Sequence, residues 1–334
     1  MESDHRFLVE PANDWELYSS AWCSAMSTYY WYIDDPVFDF NKNEELDEMF
    51  SDFSESGNLF LVARIDNQEE IAGVLGLRYR DLVARIRRWE PAVLTHFQET
   101  GIATALLQHA LSHLSSIGVK RISCLLKYPE DTPDIAEYHL HLYESFDFTR
   151  DRPDSIDMTL ALDEFQMNAE PPESVHIETG EDYTFEDLAS ITVKSFTSTA
   201  EEREIHGFDK TITEHIQATA LLQRMAEGYY GDSPDDLRKI AVADGVPAGF
   251  LGGFVSKSKY QPLIGILGPM AVLPTFRRRG IALYLVNELL KSMKEYGCEY
   301  AAVGTPAANH GAIALYEKAG FRLACRLVSL ARNI

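Results

Sequence analysis

The residues best suited to chemistry lie in Gly268-Pro-Met-Ala-Val-Leu-Pro-Thr-Phe-Arg-Arg-Arg-Gly-Ile-Ala282. Three consecutive cations, Arg277, Arg278 and Arg279, precede Gly280, Ile281 and Ala282. Guanidinium groups hold phosphate through paired N–H donors. Gly280 has no Cβ, so the backbone there can approach a ligand closely. Leu285, Val286, Leu289, Leu290 and Met293 follow at helical spacing, so the turn opens a helix. The first turn of a helix carries unpaired N–H groups and a partial positive charge, and both attract anions. An apolar strand, a basic turn and a helix start together make a polyphosphate cradle of the form Arg-x-x-Gly-x-Ala.

The cradle has a partner earlier in the chain. Trp89-Glu-Pro-Ala-Val-Leu-Thr-His-Phe-Gln-Glu-Thr-Gly-Ile-Ala103 aligns without a gap on Gly268 to Ala282, with Ala-Val-Leu, Phe and Gly-Ile-Ala in common. Thr132-Pro133 then aligns on Thr305-Pro306, Leu142-Tyr143-Glu144 on Leu315-Tyr316-Glu317, and Phe148 on Phe321. Two blocks in the same order mark an internal repeat. The elements that must position the blocks also repeat. In the first half, strands are expected at 59–64, 71–77, 84–94 and 121–126, with Met158 to Leu162 completing the sheet. Helices are expected at 43–56, after Gly101 as far as Gly118, and at 139–148. In the second half, strands are expected at 238–243, 248–255, 263–273, 299–304 and 321–330. Helical segments are expected at 184–196, 201–229, 281–296 and 309–319. Asp244-Gly245 between two apolar runs is a hairpin turn signal. Pro171-Pro172 within 168–173 marks a linker. Domains are therefore expected at 1–168 and 174–334.

Composition narrows the class. A chain of 334 residues is long for one domain and comfortable for two. The net charge is −22, and it is unevenly placed: residues 1–170 carry 13 Lys/Arg against 32 Asp/Glu, and residues 171–334 carry 17 against 20. That acidity disfavours nucleic acid as a partner. An acidic half reads either as a solvated surface or as an attraction for a cationic amine. No apolar stretch is long enough to span a membrane. The start of the chain lacks a signal-peptide core, so a cytoplasmic location is expected. Cys23, Cys124, Cys298 and Cys325 are scattered, with no metal-ligand spacing, and read as buried thiols. No metal is expected. The oligomeric state is left as monomer or homodimer.

The loop and its context resemble the GNAT superfamily of N-acetyltransferases, in which Gln/Arg-x-x-Gly-x-Gly/Ala holds the pyrophosphate of coenzyme A. The resemblance implies an α/β (mixed α+β sandwich) class, with two tandem GNAT folds. Each would be a central mixed, mostly antiparallel sheet flanked by helices. It implies acetyl-CoA as co-substrate and a primary amine of a small molecule or peptide as acceptor, attacked directly in a ternary complex. It assigns Arg277, Arg278, Arg279, Gly280, Ile281 and Ala282 to the cofactor. Backbone N–H groups around Met270, Ala271 and Val272 would polarise the thioester carbonyl. Asn309 would contact CoA, or cap the helix that starts beside it, or both. Tyr316 would protonate the departing thiol, or serve as a core aromatic beside Leu315 and Phe321. The aromatic run Tyr29-Tyr-Trp-Tyr32 would form a wall of the acceptor pocket, or pack in the core.

Two expectations separate the halves. The first keeps Gln98-x-x-Gly101-x-Ala103 and Tyr143, but Glu99 and Thr100 replace arginines, Ala136 replaces Asn309 and Asp147 replaces Gly320. A carboxylate beside pyrophosphate is unfavourable, so this half is expected to be degenerate. In the second half, the strand before the loop has no acid or His, and the general base is left open among Glu201, Glu202, Glu204, His206 and Asp209. The matching strand of the first half holds Glu90. The missing base supports the alternative of a non-catalytic acyl-CoA-binding sensor or scaffold. A longer acyl donor is a third reading.

Overall fold

The computed structural model describes residues 6–26, 33, 35–38, 42–55, 57–66, 70–256, 258 and 261–334. The aromatic run at 29–32 lies outside the described residues. The chain divides into two compact units. The N-terminal unit takes the described parts of Met1–Asp34 and Asp39–Arg152, together with Arg326–Ile334. The C-terminal unit takes Asp35–Phe38 and the described parts of Pro153–Cys325.

The N-terminal unit runs β1 (Phe7–Pro11), α1 (Trp15–Met26), α2 (Lys42–Phe53), β2 (Asn58–Ile65), β3 (Ile71–Arg80), β4 (Val83–Ile86), β5 (Ala92–Val93), α3 (Ile102–Ser116), β6 (Arg121–Pro129), α4 (Glu137–Ser145) and β7 (Thr149–Arg150). β1, β2, β3 and β4 pair in sequence, antiparallel throughout. β4 and β6 pair in parallel, at Val83↔Arg121, Ala84↔Ile122 and Arg85↔Ser123. A parallel pair needs a crossover, and α3 supplies it. Ala103, Leu106, Leu107, Ala110, Leu111 and Leu114 put the apolar face of α3 into the core.

The single strand expected at 84–94 is two short strands. Between Ile86 and Ala92 the chain leaves the ladder, with Trp89 in the left-handed region at φ 62°. Pro91 also has no N–H to give to a ladder.

The C-terminal unit runs β8 (Ser155–Ala161), β9 (Val175–Thr179), α5 (Phe185–Phe196), α6 (Ala200–His206), α7 (Lys210–Thr213), α8 (His215–Ala226), β10 (Arg238–Ala243), β11 (Val246–Ser256), β12 (Ile264–Val272), α9 (Ile281–Tyr296), β13 (Tyr300–Pro306), α10 (His310–Lys318) and the start of β14 (Arg322–Asn333). The sheet order is β8-β13-β12-β11-β10-β9. Every pairing is antiparallel except β12 with β13. The Asp244-Gly245 hairpin forms as expected, with both residues at positive φ (53° and 76°) and Ala243 opposite Val246. The helical stretch expected at 201–229 is three helices. Thr199 and Glu202 close a capping box at the start of α6, and Asp209 caps α7. The crossover α9 buries Ile281, Leu283, Leu285, Val286, Leu289, Leu290 and Met293. Each fully buried Leu contributes about 1.5–3 kcal/mol, which fixes this helix on the sheet.

Each unit completes its sheet with a strand from the other half of the repeat. The segment containing Met158 to Leu162 was expected in the first domain. It is instead β8, antiparallel to β13, with Ile156, Met158 and Leu160 in the core of the C-terminal unit. The last strand, β14, passes into the N-terminal unit, where it pairs with β7 and buries Val328 and Leu330. The compact units therefore differ from the segments 1–168 and 174–334. The expected linker is also packed: Asn168 donates its N–H to Oδ1 of the buried Asn287 at 2.9 Å, and its side-chain amide to the Lys318 carbonyl at 2.6 Å. A linear reading assigns a strand to its sequence neighbours. Here the pairing is decided by which sheet edge offers it an apolar face.

Candidate functional site

β12 and β13 pair only at Ile264↔Tyr300, Gly265↔Ala301 and Ile266↔Ala302. Beyond that point β12 continues against β11 alone as far as Val272. The Leu273 N–H donates to the Ala248 carbonyl on β11 at 2.8 Å. Alternation along a strand then turns the N–H groups of Val272 and Met270 the other way, toward the splayed edge. The Val272 carbonyl agrees with this, because it accepts from Arg277 Nε at 3.1 Å.

The basic loop follows a short turn at Pro274–Phe276. Arg278 at φ 64° and Gly280 at φ 83° are both left-handed, and Gly280 is the N-cap of α9. A residue with a Cβ at Gly280 would meet only Pro172, at 3.6 Å, so its φ requires the glycine more than crowding does. No side chain caps α9, so its first N–H groups have no side-chain partner there. The three arginines are used differently. Arg277 binds the Val272 carbonyl, the Ser195 carbonyl (2.7 Å) and the Glu202 carboxylate. Arg279 pairs with Asp244 at 2.9 Å and lies over the Phe276 ring. Arg278 is exposed, with no ion pair among the described residues.

A cavity of about 850 Å³ joins these parts. Its walls include Met270, Ala271 and Val272 of β12, then Arg277, Arg278, Gly280, Ile281 and Ala282, and Asn309 at the start of α10. Nine of the ten residues expected at the cofactor thus line one space, and Arg279 lies outside it. Asn309 caps α10, accepting the Ala312 N–H at 3.2 Å, and its amide nitrogen lies 3.4 Å from His206 Nε2. Cap and cavity wall are one residue.

The base candidates are sorted by the same cavity. Glu201, Glu202 and His206 line it, and Glu204 does not. Asp209 is engaged at the start of α7 by the Thr211 N–H at 2.9 Å. Arg277, Ser198 and the Thr199 N–H bind the Glu202 carboxylate. They hold it below the usual carboxylate range despite partial burial. His206 is buried, edge-on to Phe196, and burial pushes its imidazole below the ordinary value. Tyr316 is outside the cavity wall. It is buried edge-on to Phe321, and burial raises its phenol so that it stays protonated. Ser195 was not foreseen. Its buried Oγ has no hydrogen-bond partner among the described residues, and it lies in the cavity wall. An unsatisfied hydroxyl there suits a polar ligand. Nothing in the local sequence of α5 marks it, because its place is set by α5 packing over β12.

The counterpart loop has the same backbone. Glu99 is at φ 64°, and Gly101 at φ 85° is the N-cap of α3. Its surroundings differ. Glu90 is buried, its carboxyl bound by the Gly76 N–H and by the Tyr18 hydroxyl at 3.2 Å. Burial raises that carboxyl to about 7. Tyr143 donates its hydroxyl to the Glu90 carbonyl, and His139 Nε2 lies 3.2 Å from the Pro91 carbonyl.

Among the described residues, no group of three or more His, Cys, Asp and Glu is placed to hold a metal ion. Nor, among the described residues, is any helix long and apolar enough to cross a membrane.

Comparison with known proteins bears on the fold and the family. The chain is 40% identical over 67 residues to N-alpha-acetyltransferase MAK3 of Arabidopsis thaliana, a stretch covering 20% of this chain and 35% of that one. The chain thus spans about a third of the length of that curated relative. A GCN5-related N-acetyltransferase from Sphaerobacter thermophilus has a TM-score of 0.63 at 16% identity, covering 98% of this chain and 95% of its own. A tandem GNAT protein from the clavulanic acid biosynthesis pathway has a TM-score of 0.54 at 17% identity, covering 98% of both chains. These two likenesses speak for the fold. The model of the acetyltransferase (GNAT) family matches twice, over residues 25–148 and 200–321. With a matched loop and crossover helix in each half, the chain belongs to the acetyltransferase (GNAT) family, as two tandem GNAT repeats.

Proposed function

We propose that the protein transfers an acetyl group from acetyl-CoA to a primary amine, using the cavity of its C-terminal unit. The observation that carries this reading is that one space of about 850 Å³ collects the β12 edge, the basic loop, the start of α9 and Asn309. The residues present fit CoA. Arg278 and the uncapped first turn of α9 would hold its pyrophosphate. Ser195 Oγ and Asn309 offer polar contacts further along the wall. The N–H groups of Met270 and Val272 would polarise the thioester carbonyl, each worth about 3 kcal/mol once charge develops on the oxygen. Tyr316 would supply the proton to the departing sulphur, as a phenol that burial keeps neutral. The N-terminal repeat would be a degenerate copy. An α-amine acceptor is supported by the name of the plant relative, an N-alpha-acetyltransferase.

The test is CoA release from acetyl-CoA in the presence of polyamines, amino acids, aminoglycosides and short peptides, with a parallel thermal shift by CoA. Release with at least one amine class is expected. A thermal shift without release from any amine would favour an acyl-CoA-binding sensor. No shift and no release would end the reading.

A further inference from the structure

We infer that His206 is the proton acceptor for the attacking amine, held in place by Asn309 and by the Glu202–Arg277 pair. The inference rests on the proposed acetyl transfer and adds the group that reading lacks. An alkyl ammonium has no free electron pair, so a neutral base must take its proton before nitrogen attacks carbon. β12 carries no acid or His from Ile264 to Val272. The carboxylates and imidazoles lining the cavity are Glu201, Glu202, His206 and His310. Glu202 is spent on Arg277, Ser198 and the Thr199 N–H. Glu201 is on the exposed side of α6, and His310 is exposed at the start of α10. Only His206 combines burial with a place in the wall.

Its geometry suits the task. Asn309 Oδ1 is taken by the Ala312 N–H, so the side-chain NH2 points at His206 Nε2. A donor facing Nε2 leaves the lone pair on that nitrogen and the proton on Nδ1. Asn309 therefore selects the tautomer that can accept. At 3.4 Å the contact is long enough for a stronger donor, such as an ammonium, to displace it. Arg277 anchors α6 through Glu202, while its other donors grip the β12 and α5 backbones. The base is thereby tied to the strand that polarises the carbonyl. Glu202 from α6 and Asp209 from the start of α7 face the ring and stabilise the imidazolium once it forms. Lys318 and His310 of α10 lie elsewhere in the same wall. In the step, the ammonium proton moves to Nε2 and the freed nitrogen pair forms the C–N bond. The C–S pair leaves with sulphur, which takes a proton from Tyr316, and the acylated nitrogen then gives up its second proton through water to restore that phenol. Water later carries the His206 proton away.

The experiment compares the full chain with His206→Gln and His206→Ala, using acetyl-CoA and the amine of highest turnover. We expect kcat to fall about 100-fold in both. Acetyl-CoA affinity by calorimetry should be unchanged, which also shows that the variants fold. The wild-type acid limb of kcat/KM should lie below the ordinary imidazole range and vanish in His206→Gln. Added imidazole should restore part of the His206→Ala rate. Glu202→Gln should lower kcat less and keep the limb, as a positioning residue does. A His206→Gln enzyme with the wild-type acid limb and rate would overturn the role of His206 while leaving acetyl transfer intact. A wild-type chain inactive toward every amine would instead remove the proposed function.

Discussion

The loops Gln98–Ala103 and Arg277–Ala282 have the same backbone and different neighbours. Both place a left-handed residue at the second position, φ 64° in each, and a left-handed glycine as N-cap of the crossover helix. In the C-terminal unit the preceding strand runs unbroken to Val272 and splays from β13, leaving a cavity beside the loop. In the N-terminal unit the preceding strand breaks after Ile86. There the Glu90 and Pro91 carbonyls are taken by Tyr143 and His139. A loop conformation is thus not a binding site. Beside the C-terminal loop the strand edge is open, whereas in the N-terminal unit described side chains hold the carbonyls that precede the loop. The shared glycine shows what the loop fold requires, and the differing partners show how far its surroundings can vary.

Three perturbations can break or sharpen that contrast. The largest effect is expected from Gly280→Glu. A side chain at φ 83° is strained by about 1 kcal/mol or more, and a carboxylate there opposes phosphate. Acetyl-CoA affinity by calorimetry should fall about 1000-fold. Gly101→Glu should leave that affinity unchanged, and an equal loss would make the N-terminal loop a cofactor site too.

Next in size is a pH effect confined to the N-terminal unit. Burial raises Glu90 to about 7 when folded, against its ordinary value of 4.5 when unfolded. An acid with a raised folded pKa stabilises the protein fully below the unfolded value. That contribution is lost as pH rises through about 7. The loss approaches on the order of 3 kcal/mol at pH 8. Glu90→Gln should therefore melt higher than wild type at pH 8 and about equally at pH 4.5. Identical melting curves at both pH values would mean that Glu90 is not buried as a neutral acid.

The smallest of the three compares the two tyrosines. Tyr316→Phe should lower kcat about 100-fold with little change in KM for acetyl-CoA. Tyr143→Phe should spare kcat and cost about 1–3 kcal/mol of stability, since the buried Glu90 carbonyl loses a donor. If Tyr316→Phe also changes only the melting temperature, Tyr316 is packing beside Phe321.

Local chemistry is written in the chain and was legible in it. The repeat, the Asp244-Gly245 hairpin, the glycine N-caps and the periodic faces of α3 and α9 depend on residues within a turn or two of one another. The placement of Met270 to Val272, five loop residues and Asn309 around one space followed from the family resemblance. The strand memberships were not legible. β8 and β14 carry buried apolar residues in a way that suits either sheet, and the choice is made by the edge that buries them. Nor could the sequence tell Arg277, spent on Glu202, from Arg278 one residue on, which has no ion pair among the described residues. The partner of Asn309 lies 103 residues away in His206, and no local pattern encodes so distant a meeting. What the sequence determined by itself was two loops of one pattern, the second of them basic. Which of them has an open edge, a cavity and an imidazole beside it was decided only by tertiary packing, because burial and long-range pairing are properties of the assembled sheet.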